Sequence, residues 1–505
     1  MVLVNVKHMK ADPYIDEGGA ELPSDTVPVI DPFTSPPEVA YSAKQVWVSS
    51  FQAGKFKSGL LRVKHLVGLD RSIAWTVAGR GWASVSGLIS VLLVAHFLSP
   101  VEQGFYYTFG SVVAAQVFFE LGLTSVLLHT ASHEGGYLHW ENGVLVGEEV
   151  ALGRLSTLFQ RALIWYAVAA ILVVLCLVPG GFYFFLRHQG TNTSLHWRSP
   201  WIILVFGTAA NLLLSPAVTL FEGVGLVSQV AALRFRQTLL SSFILWTTLL
   251  FRKGLLAAAV GVCTQAVVVA VWLGLQKRHA ILSLLRHRPQ PHACISWGKE
   301  VWPFQWRIAI SWLSGYFIFQ AFNPILFAYC GPVEAGRMGM SMTICTAISV
   351  LGLSWVNTKA APFGQWIARK DYALLDKVFF RALLQSSILV CTIYFIFGAT
   401  IFWAQSRGNH LSLRVLPIGA LSMILVASTL NHFVNAQAIY LRSHKREVLM
   451  PSAILGGVAT LLLTKSLAPR YGSLGVSAGY LLSSTVFGFF LVSYIFIRSR
   501  KTWHT

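Results

Sequence analysis

The chain has 505 residues, of which 55% are hydrophobic and only 12% are charged. Charged residues make up roughly a quarter of an ordinary soluble domain, so this composition excludes one. The formal net charge of +19 would suit a nucleic-acid partner, but the positions of the basic residues follow membrane topology instead.

Residues 1–41 are acidic and rich in proline, and they contain too little apolar surface to fold alone. We therefore expect a disordered tail. Residues 42–75 are basic, and apolar residues recur within them at helical spacing, as in a helix that lies on a membrane surface. A simple basic lead-in to the first membrane span fits the same pattern.

About twelve apolar stretches follow, most of them as long as a membrane-spanning helix. They lie near residues 80–98, 105–128, 162–186, 200–221, 237–252, 254–275, 304–329, 337–357, 380–404, 414–434, 449–466 and 474–497. The predicted fold class is therefore an all-α polytopic membrane protein. Lysine and arginine are concentrated in alternate connecting segments, and the positive-inside rule then places both termini in the cytoplasm. Nucleic acid is not needed to explain the charge.

One short segment occurs twice. Pro100-Val101-Glu102-Gln103-Gly104 is matched by Pro332-Val333-Glu334-Ala335-Gly336, at an offset of 332 − 100 = 232 residues. Leu121-Gly122-Leu123-Thr124 is matched by Leu351-Gly352-Leu353-Ser354 at nearly the same offset. Matches in the same order predict two copies of one membrane unit. We expect six-helix bundles at 76–276 and 304–497, a basic cytoplasmic linker at 277–303 and a cytoplasmic tail at 498–505.

The connection at 129–161 contains His129 and His133, which could share a helix face and bind zinc. The adjacent Gly135-Gly136 favours a solvated loop, and the residue order does not fit the HExxH motif. The six cysteines are scattered and no two form a CxxC pair. We therefore expect neither a metal nor a cofactor.

Ionisable side chains within spans are costly and usually functional. Glu120 is the one carboxylate well inside a predicted span, which makes it the candidate ion-coupling residue or a partner of Arg80. Arg80 and Arg307 open the first span of each half, where they could face a central cavity or extend to the headgroups. Amide side chains within the spans could bind substrate or serve helix packing, and they are Gln116, Asn211, Gln320, Asn323 and Asn431.

The segment Leu98–Phe105, followed by Phe119-Glu120-Leu121-Gly122-Leu123, resembles the first helical hairpin of polysaccharide flippases. These include the O-antigen and lipid-linked oligosaccharide translocases of the MATE-like multidrug/oligosaccharidyl-lipid/polysaccharide exporter superfamily. The span count and the 6+6 repeat agree with this family over roughly residues 75–500. The resemblance implies two six-helix bundles around a central cavity that opens alternately to each side and is lined by the first and seventh helices.

Flippases of this family move undecaprenyl-pyrophosphate-linked sugars across the bacterial inner membrane. The resemblance thus implies a flippase, not an enzyme, in exopolysaccharide, capsule or lipopolysaccharide O-antigen assembly. Its partners would be the lipid-linked oligosaccharide, membrane lipids, and the polymerase and glycosyltransferases of the same process. Arg80 and Arg307 would contact the pyrophosphate.

Two other functions remain open. A drug or metabolite exporter would share the fold, although arginines in a cavity suit a cationic drug poorly. A membrane polymerase, ligase or acyltransferase could use His432 as a base, but the sequence has neither a large outside loop nor a DxD pair for a sugar-nucleotide metal.

Overall fold

The computed structural model describes residues 71–188, 195–444 and 448–504. The predicted tail at 1–41 and residues 42–70 of the basic segment lie outside these ranges. Within them the protein is almost entirely helical, with one small antiparallel sheet. The predicted class, an all-α polytopic membrane protein, is confirmed.

The elements follow one another in two series. The first contains helices α1 (Arg71–Phe97), α2 (Pro100–Val113), α3 (Val117–Glu120) and α4 (Leu123–Gly135), strands β1 (Leu138–Glu141) and β2 (Val144–Gly147), and helices α5 (Glu149–His188), α6 (Arg198–Gly223), α7 (Val227–Leu250), α8 (Leu256–Gln276) and α9 (Arg278–Arg286). The second contains helices α10 (Trp302–Phe319), α11 (Phe322–Cys330), α12 (Pro332–Asn357), α13 (Ala360–Ala368), α14 (Tyr372–Ser406), α15 (Ile418–Ser443), α16 (Met450–Ser483) and α17 (Leu491–Trp503).

Eight helical stretches of the described chain are long and apolar enough to cross a membrane, or nine if the bent pair formed by α2–α4 is one span. The stretch Met450–Trp503 contains a non-helical residue, Gly472, and can therefore supply two crossings. Helix α7 and the pair α10–α11 are the remaining predicted spans. Neither of these is among the stretches that are long and apolar enough, so the number twelve stays a prediction.

Several predicted spans differ from the observed helices, and three of them differ in a way that has a clear local cause. The span at 105–128 is interrupted at Leu121 and Gly122, and the span at 304–329 is interrupted between α10 and α11. The span at 237–252 was placed too late, because α7 begins at Val227. Arg234 interrupts the apolar run there, and the structure pairs it with Glu222 at 2.6 Å.

The connection predicted as a solvated loop contains a β-hairpin. Strand β1 pairs with β2, with Glu141 opposite Val144. Asn142 and Gly143 form the turn with φ angles of 48° and 81°, the left-handed values that a two-residue type I′ turn requires. The indole of Trp140 donates to the Val224 carbonyl at 3.2 Å, which fastens the hairpin to the end of α6.

The predicted linker is folded against α5. The amide of Gln160 donates to the carbonyl groups of Leu284, Leu285 and His287, at 3.0, 3.2 and 3.1 Å. These carbonyls belong to the end of α9, where a helix has no internal donors for its last oxygens. Gln160 therefore caps α9 and holds the linker to the first half of the chain.

The two copies of the repeated segment begin helices α2 and α12, and these helices cross each other at their glycines. Proline suits the first helical position because its missing N–H is not needed there. A Cβ atom on Gly104 would lie 1.9 Å from the Pro332 carbonyl oxygen, and one on Gly336 would lie 2.8 Å from the Gly104 nitrogen. Only glycine permits this backbone approach.

Gln103 adds hydrogen bonds to the crossing. Its amide nitrogen donates to the carbonyl oxygens of Gly336 and Arg414, both at 2.9 Å, and the side chain is 1% exposed. The repeated segments thus meet in space, at the end of the helices where Pro100 and Pro332 lie. We call this end the proline end.

An aromatic core lies next to this crossing. Phe105 of α2 packs against Phe185 of α5 at 5.4 Å between ring centroids and against Phe327 of α11 at 4.9 Å. Trp201 of α6 contacts Phe185 at 5.3 Å, and all four rings are fully buried. Many other large apolar side chains, such as Leu92 and Phe395, are exposed, as expected for surfaces that face lipid.

Candidate functional site

The two arginines predicted to line a cavity lie on exposed parts of their helices. Arg80 is on α1, and Arg307 is on α10 with its guanidinium 5.7 Å from the Trp306 ring centroid. Within the described ranges neither guanidinium forms an ion pair or a hydrogen bond through its side chain. Their role in binding a phosphate group remains a prediction.

Three of the predicted amides join neighbouring helices. Asn211 of α6 donates to the Val262 carbonyl of α8 at 3.0 Å. Asn323 of α11 donates to the Ser111 hydroxyl of α2 at 2.9 Å. Asn431 of α15 donates to the Tyr480 hydroxyl of α16 at 3.0 Å. These bonds join helices in the manner of the packing alternative, although the Asn323 Oδ1 atom is buried without a hydrogen-bond partner, and a role in substrate binding stays a prediction for all three.

The other two predicted amides flank helix interruptions. Gln116 ends a short 3₁₀ turn, Ala114–Gln116, just before α3. Gln320 follows α10 and its backbone amide donates to Tyr316 at 2.8 Å. Both side chains are partly buried. Interrupted membrane helices supply binding groups in many transporters, so both positions stay candidates for substrate contact.

Glu120 lies at the interruption between α3 and α4. It is the last residue of α3, and the next two residues, Leu121 and Gly122, both have left-handed backbone angles with φ of 52° and 67°. The chain bends by 51° between the segment Pro100–Glu120 and α4. Gly122 is packed against Ile308 of α10, where an added Cβ would lie 2.5 Å from the isoleucine Cγ2.

Hydroxyl groups surround the Glu120 carboxylate. Thr124, the second residue of α4, donates to its Oε1 atom, and Tyr166 of α5 donates to the same oxygen at 3.2 Å. The Thr124 and Tyr166 hydroxyls are 2.6 Å apart. Thr124 and Tyr166 were not singled out in the sequence. The spacing of four residues between Glu120 and Thr124 was a usable signal, but Tyr166 lies on another helix.

An apolar cavity of about 560 Å³ adjoins this helix interruption. It is lined by Phe118, Phe119, Leu121, Arg161, Ile164, Trp165, Val168, Ala169, Leu172 and Trp297. Ile164 and Val168 are 66% and 51% exposed, so the cavity opens on a face that lies against lipid. Arg161 is the charged residue of the lining, and its guanidinium donates to the Ile295 carbonyl at 2.9 Å.

An ion-pair network fastens α4 and α5 to the π-helical turn Trp297–Val301. Arg154 of α5 contacts Glu134 of α4 at 2.8 Å and Glu300 of the turn at 2.5 Å. The Ser296 amide also donates to Glu300, at 2.9 Å. These interactions, the backbone hydrogen bond first and Arg154 second, lower the pKa of Glu300 from its ordinary value.

This lowered pKa gives a testable pH dependence. A carboxylate with a lower pKa in the folded state stabilises the fold above its unfolded pKa, and the contribution disappears as pH falls through the folded value. We expect acidification from about pH 5 to 3 to destabilise the wild type more than Glu300→Gln. The difference should be at most about 1 kcal/mol, because solvent screens this partly exposed pair.

The measurement is thermal unfolding in detergent at each pH, followed by tryptophan fluorescence. Glu149→Gln is the matched control, since Glu149 is an exposed carboxylate in the first turn of α5. Equal acid sensitivity of the wild type and Glu300→Gln would contradict the expectation.

The histidines considered for chemistry do not form a metal site. Among the residues the structure describes, no group of three or more His, Cys, Asp and Glu side chains could hold a metal ion. His129 packs edge-on against Phe304, and His133 lies 3.8 Å from Glu134. His432 is buried, with its Nε2 atom 3.0 Å from the Ser386 hydroxyl, an arrangement that suits helix packing.

Comparisons with known proteins identify the class of this fold. No family model matches the chain, and no curated protein sequence matches it. The structure is similar to an inward-facing multidrug resistance MATE transporter of the MOP superfamily, with 14% identity, a TM-score of 0.57, and coverage of 88% of this chain and 98% of that one. The chain therefore has the fold of MOP-superfamily transporters.

Two further structures share this fold. The lipid II flippase MurJ in an inward closed conformation has 11% identity and a TM-score of 0.53, over 86% of this chain and 90% of that one. The MATE multidrug transporter DinF-BH, in a complex with a ligand, has 12% identity and a TM-score of 0.54, over 86% and 96%. At identities this low, the structural similarity shows the fold alone.

Proposed function

We propose that this protein moves a lipid-linked oligosaccharide between the leaflets of a membrane by alternating access. The observation that carries the proposal is the apolar cavity beside the α3–α4 interruption. A cavity that opens towards lipid and has apolar walls suits a hydrocarbon chain, which would leave the bilayer without entering water. The fold is one that a lipid flippase and drug transporters both use.

Charge favours an anionic headgroup on that lipid. Arg161 stands at the cavity, and Arg80 and Arg307 lie exposed on α1 and α10. Arginine pairs with phosphate through two parallel hydrogen bonds, so these residues suit the pyrophosphate of a polyprenyl carrier. The proposed setting is polysaccharide assembly at a bacterial inner membrane, with both termini in the cytoplasm. The partners would be the polymerase and glycosyltransferases of that process.

Reconstitution into liposomes tests this function. A labelled polyprenyl-pyrophosphate oligosaccharide is placed in both leaflets, and a non-permeant sugar-modifying enzyme reports how much of the inner pool reaches the outside. We expect Val168→Trp to slow exposure at least about fivefold, because the new side chain fills the cavity from its lipid-facing rim. Ile171→Trp is the control, since Ile171 lies on the same helix, is 59% exposed and is not part of the lining.

Other outcomes separate the alternatives. If wild type and Val168→Trp expose the inner pool equally, the cavity does not carry the lipid. If the wild type matches empty liposomes across several lipid-linked sugars, but moves organic cations in the same vesicles, the protein is a drug exporter. Loss of activity in Arg80→Ala with Arg307→Ala would support their contact with the pyrophosphate.

A further inference from the structure

A cavity of about 280 Å³ lies at the proline end of the helices. Its walls come from the start of α2, the start of α12 and the connection between α14 and α15. The lining residues are Pro100, Gln103, Val333, Arg337, His410, Leu413 and Arg414, and none of these described residues carries a carboxylate. A molecule of liquid water occupies about 30 Å³, so the space is large enough for a phosphate-sized anion with several waters.

Arg337 is held at the wall of this cavity by two hydrogen bonds. Its Nε atom donates to the Leu413 carbonyl at 3.0 Å, and its Nη1 atom donates to the Glu334 carboxylate at 2.6 Å. A guanidinium group has five N–H donors. Three donors of Arg337 therefore have no acceptor among the described residues, although the group itself is fixed in place.

Arg414 ends the 3₁₀ turn Ser412–Arg414 and has no ion-pair partner within the described ranges. Its guanidinium contacts the Gln103 Oε1 atom at 3.4 Å. Burial lowers the pKa of this guanidinium, and the Glu102 carboxylate offsets the effect only in part. Glu102 itself accepts from the Ser99 amide at 2.8 Å. A partly buried charge without a counter-ion is costly, and a bound anion would reduce that cost.

The first copy of the repeated segment differs from the second at two relevant positions. Ser99 caps α2 through its side chain, whereas Gly331 begins α12 without a side-chain cap. At the repeat offset of 337 − 105 = 232 residues, Arg337 takes the place of Phe105, which is fully buried in the aromatic core. An uncapped helix start leaves amide donors and favours negative charge. Both differences therefore supply groups that bind an anion.

We infer that Arg337, Arg414 and the first turn of α12 form a binding site for one phosphate-type anion, either inorganic phosphate or the phosphate of a lipid headgroup. A guanidinium group binds phosphate oxygens through two parallel N–H groups. The anion joins α12 to the connection between α14 and α15, and so strengthens the contacts of the proline end. The inference goes beyond the proposed function, because this site uses none of the residues that line the apolar cavity.

The test measures anion binding to the full chain in detergent, at about pH 8. Thermal unfolding is compared in about 10 mM sodium phosphate and in sodium chloride of equal ionic strength. A short-chain phosphatidylglycerol is then compared with the diacylglycerol of the same chain length, which lacks the phosphate. We expect the bound anion to raise the unfolding midpoint by about 2 °C and to slow hydrogen–deuterium exchange in residues 332–337 and 410–416.

Variants assign the shift to this cavity. Arg414→Gln should weaken binding at least about tenfold and remove the shift. Arg337→Gln combined with Glu334→Gln should do the same, and the double change leaves no carboxylate without its partner. Arg407→Gln is the matched control and should keep the shift, since Arg407 is exposed, lies 5.4 Å from the Trp403 ring centroid and is not part of the lining.

The two arms of the test distinguish the sources of the anion. A shift with inorganic phosphate indicates a free anion, and a shift with phosphatidylglycerol alone indicates a lipid headgroup. Phosphate also stabilises proteins in general because it is excluded from their surfaces. An equal shift in the wild type, Arg407→Gln and Arg414→Gln would show that general effect only and would overturn the inference, as would no shift with either probe. The liposome experiment can succeed or fail independently.

Discussion

Gly104→Ala is expected to destabilise the protein by about 3 kcal/mol or more, because it places a methyl group where the backbone of another helix already lies. The nearest atoms to the new Cβ would be the carbonyl oxygen, carbonyl carbon and Cα of Pro332, at 1.9, 2.5 and 2.8 Å. A side chain could rotate away, but a helix backbone cannot, so α2 and α12 must separate. The measurement is thermal unfolding in detergent, with fluorescence-detected size exclusion to follow the folded fraction.

Gly110→Ala is the matched control for this prediction. It lies on the same helix, is exposed, and has no atom within 4 Å of its added Cβ. Alanine also favours a helix by up to about 1 kcal/mol over glycine, so Gly110→Ala should be neutral or slightly stabilising. Similar unfolding midpoints for the two variants would show that α2 and α12 do not cross as closely as the structure has them.

The repeated segment is the part of the fold that the sequence predicted most completely. Its residues interact with their near neighbours in the chain. A proline begins each helix, and the Glu102 carboxylate accepts a hydrogen bond from the Ser99 amide in a capping box. The matched sequences predicted a repeat, and the structure adds that the two copies contact each other. No local pattern could show that contact, because Gly104 and Gly336 meet only after the helices pack.

The helix interruptions were missed for a different physical reason. Leucine is a good helix former, so an apolar run that includes Leu121 and Gly122 is indistinguishable from a continuous span. The same Leu-Gly-Leu sequence remains helical at Leu351–Leu353. Because the same three residues adopt two backbone conformations, tertiary contacts must determine which one forms. The packing of Ile308 on Gly122 is one of these contacts. The Asn142-Gly143 turn, in contrast, was a recognisable hairpin signal that the loop interpretation overlooked.

The candidate site was predicted in part. Glu120 stood out because carboxylates inside spans are rare, and this reasoning needs no structure. Its hydroxyl partners could not be predicted, because Tyr166 reaches it from α5 across 46 residues of sequence. The apolar cavity was equally hidden, since its lining residues resemble any other lipid-facing positions until the bend at Leu121 opens the space beside them.

The alternating access that we propose requires one end of the helices to separate while the other closes, so the contacts at the proline end would oppose one of the two states. The Gly104–Gly336 crossing provides close packing there, and Gln103 provides hydrogen bonds to Gly336 and Arg414. A substitution at either glycine of the crossing would force the helices apart by a steric clash. Removal of the Gln103 hydrogen bonds would weaken the contact without a clash. A substitution at Gln103 should therefore destabilise the state in which the proline end is closed, without disrupting the packing of α2 against α12.

Gln103→Leu is expected to open the proline end more often while leaving the fold intact. The change keeps the volume of a buried side chain but removes donors to the carbonyl groups of Gly336 and Arg414, which costs about 2 kcal/mol, or roughly 30-fold in the opening equilibrium. Hydrogen–deuterium exchange should accelerate in residues 332–337 and 410–416. Gln237→Leu is the control, because Gln237 makes a 3.3 Å bond to the Gln265 carbonyl, between α7 and α8. Equal exchange in both variants at these two segments would mean that the Gln103 hydrogen bonds do not hold the proline end closed.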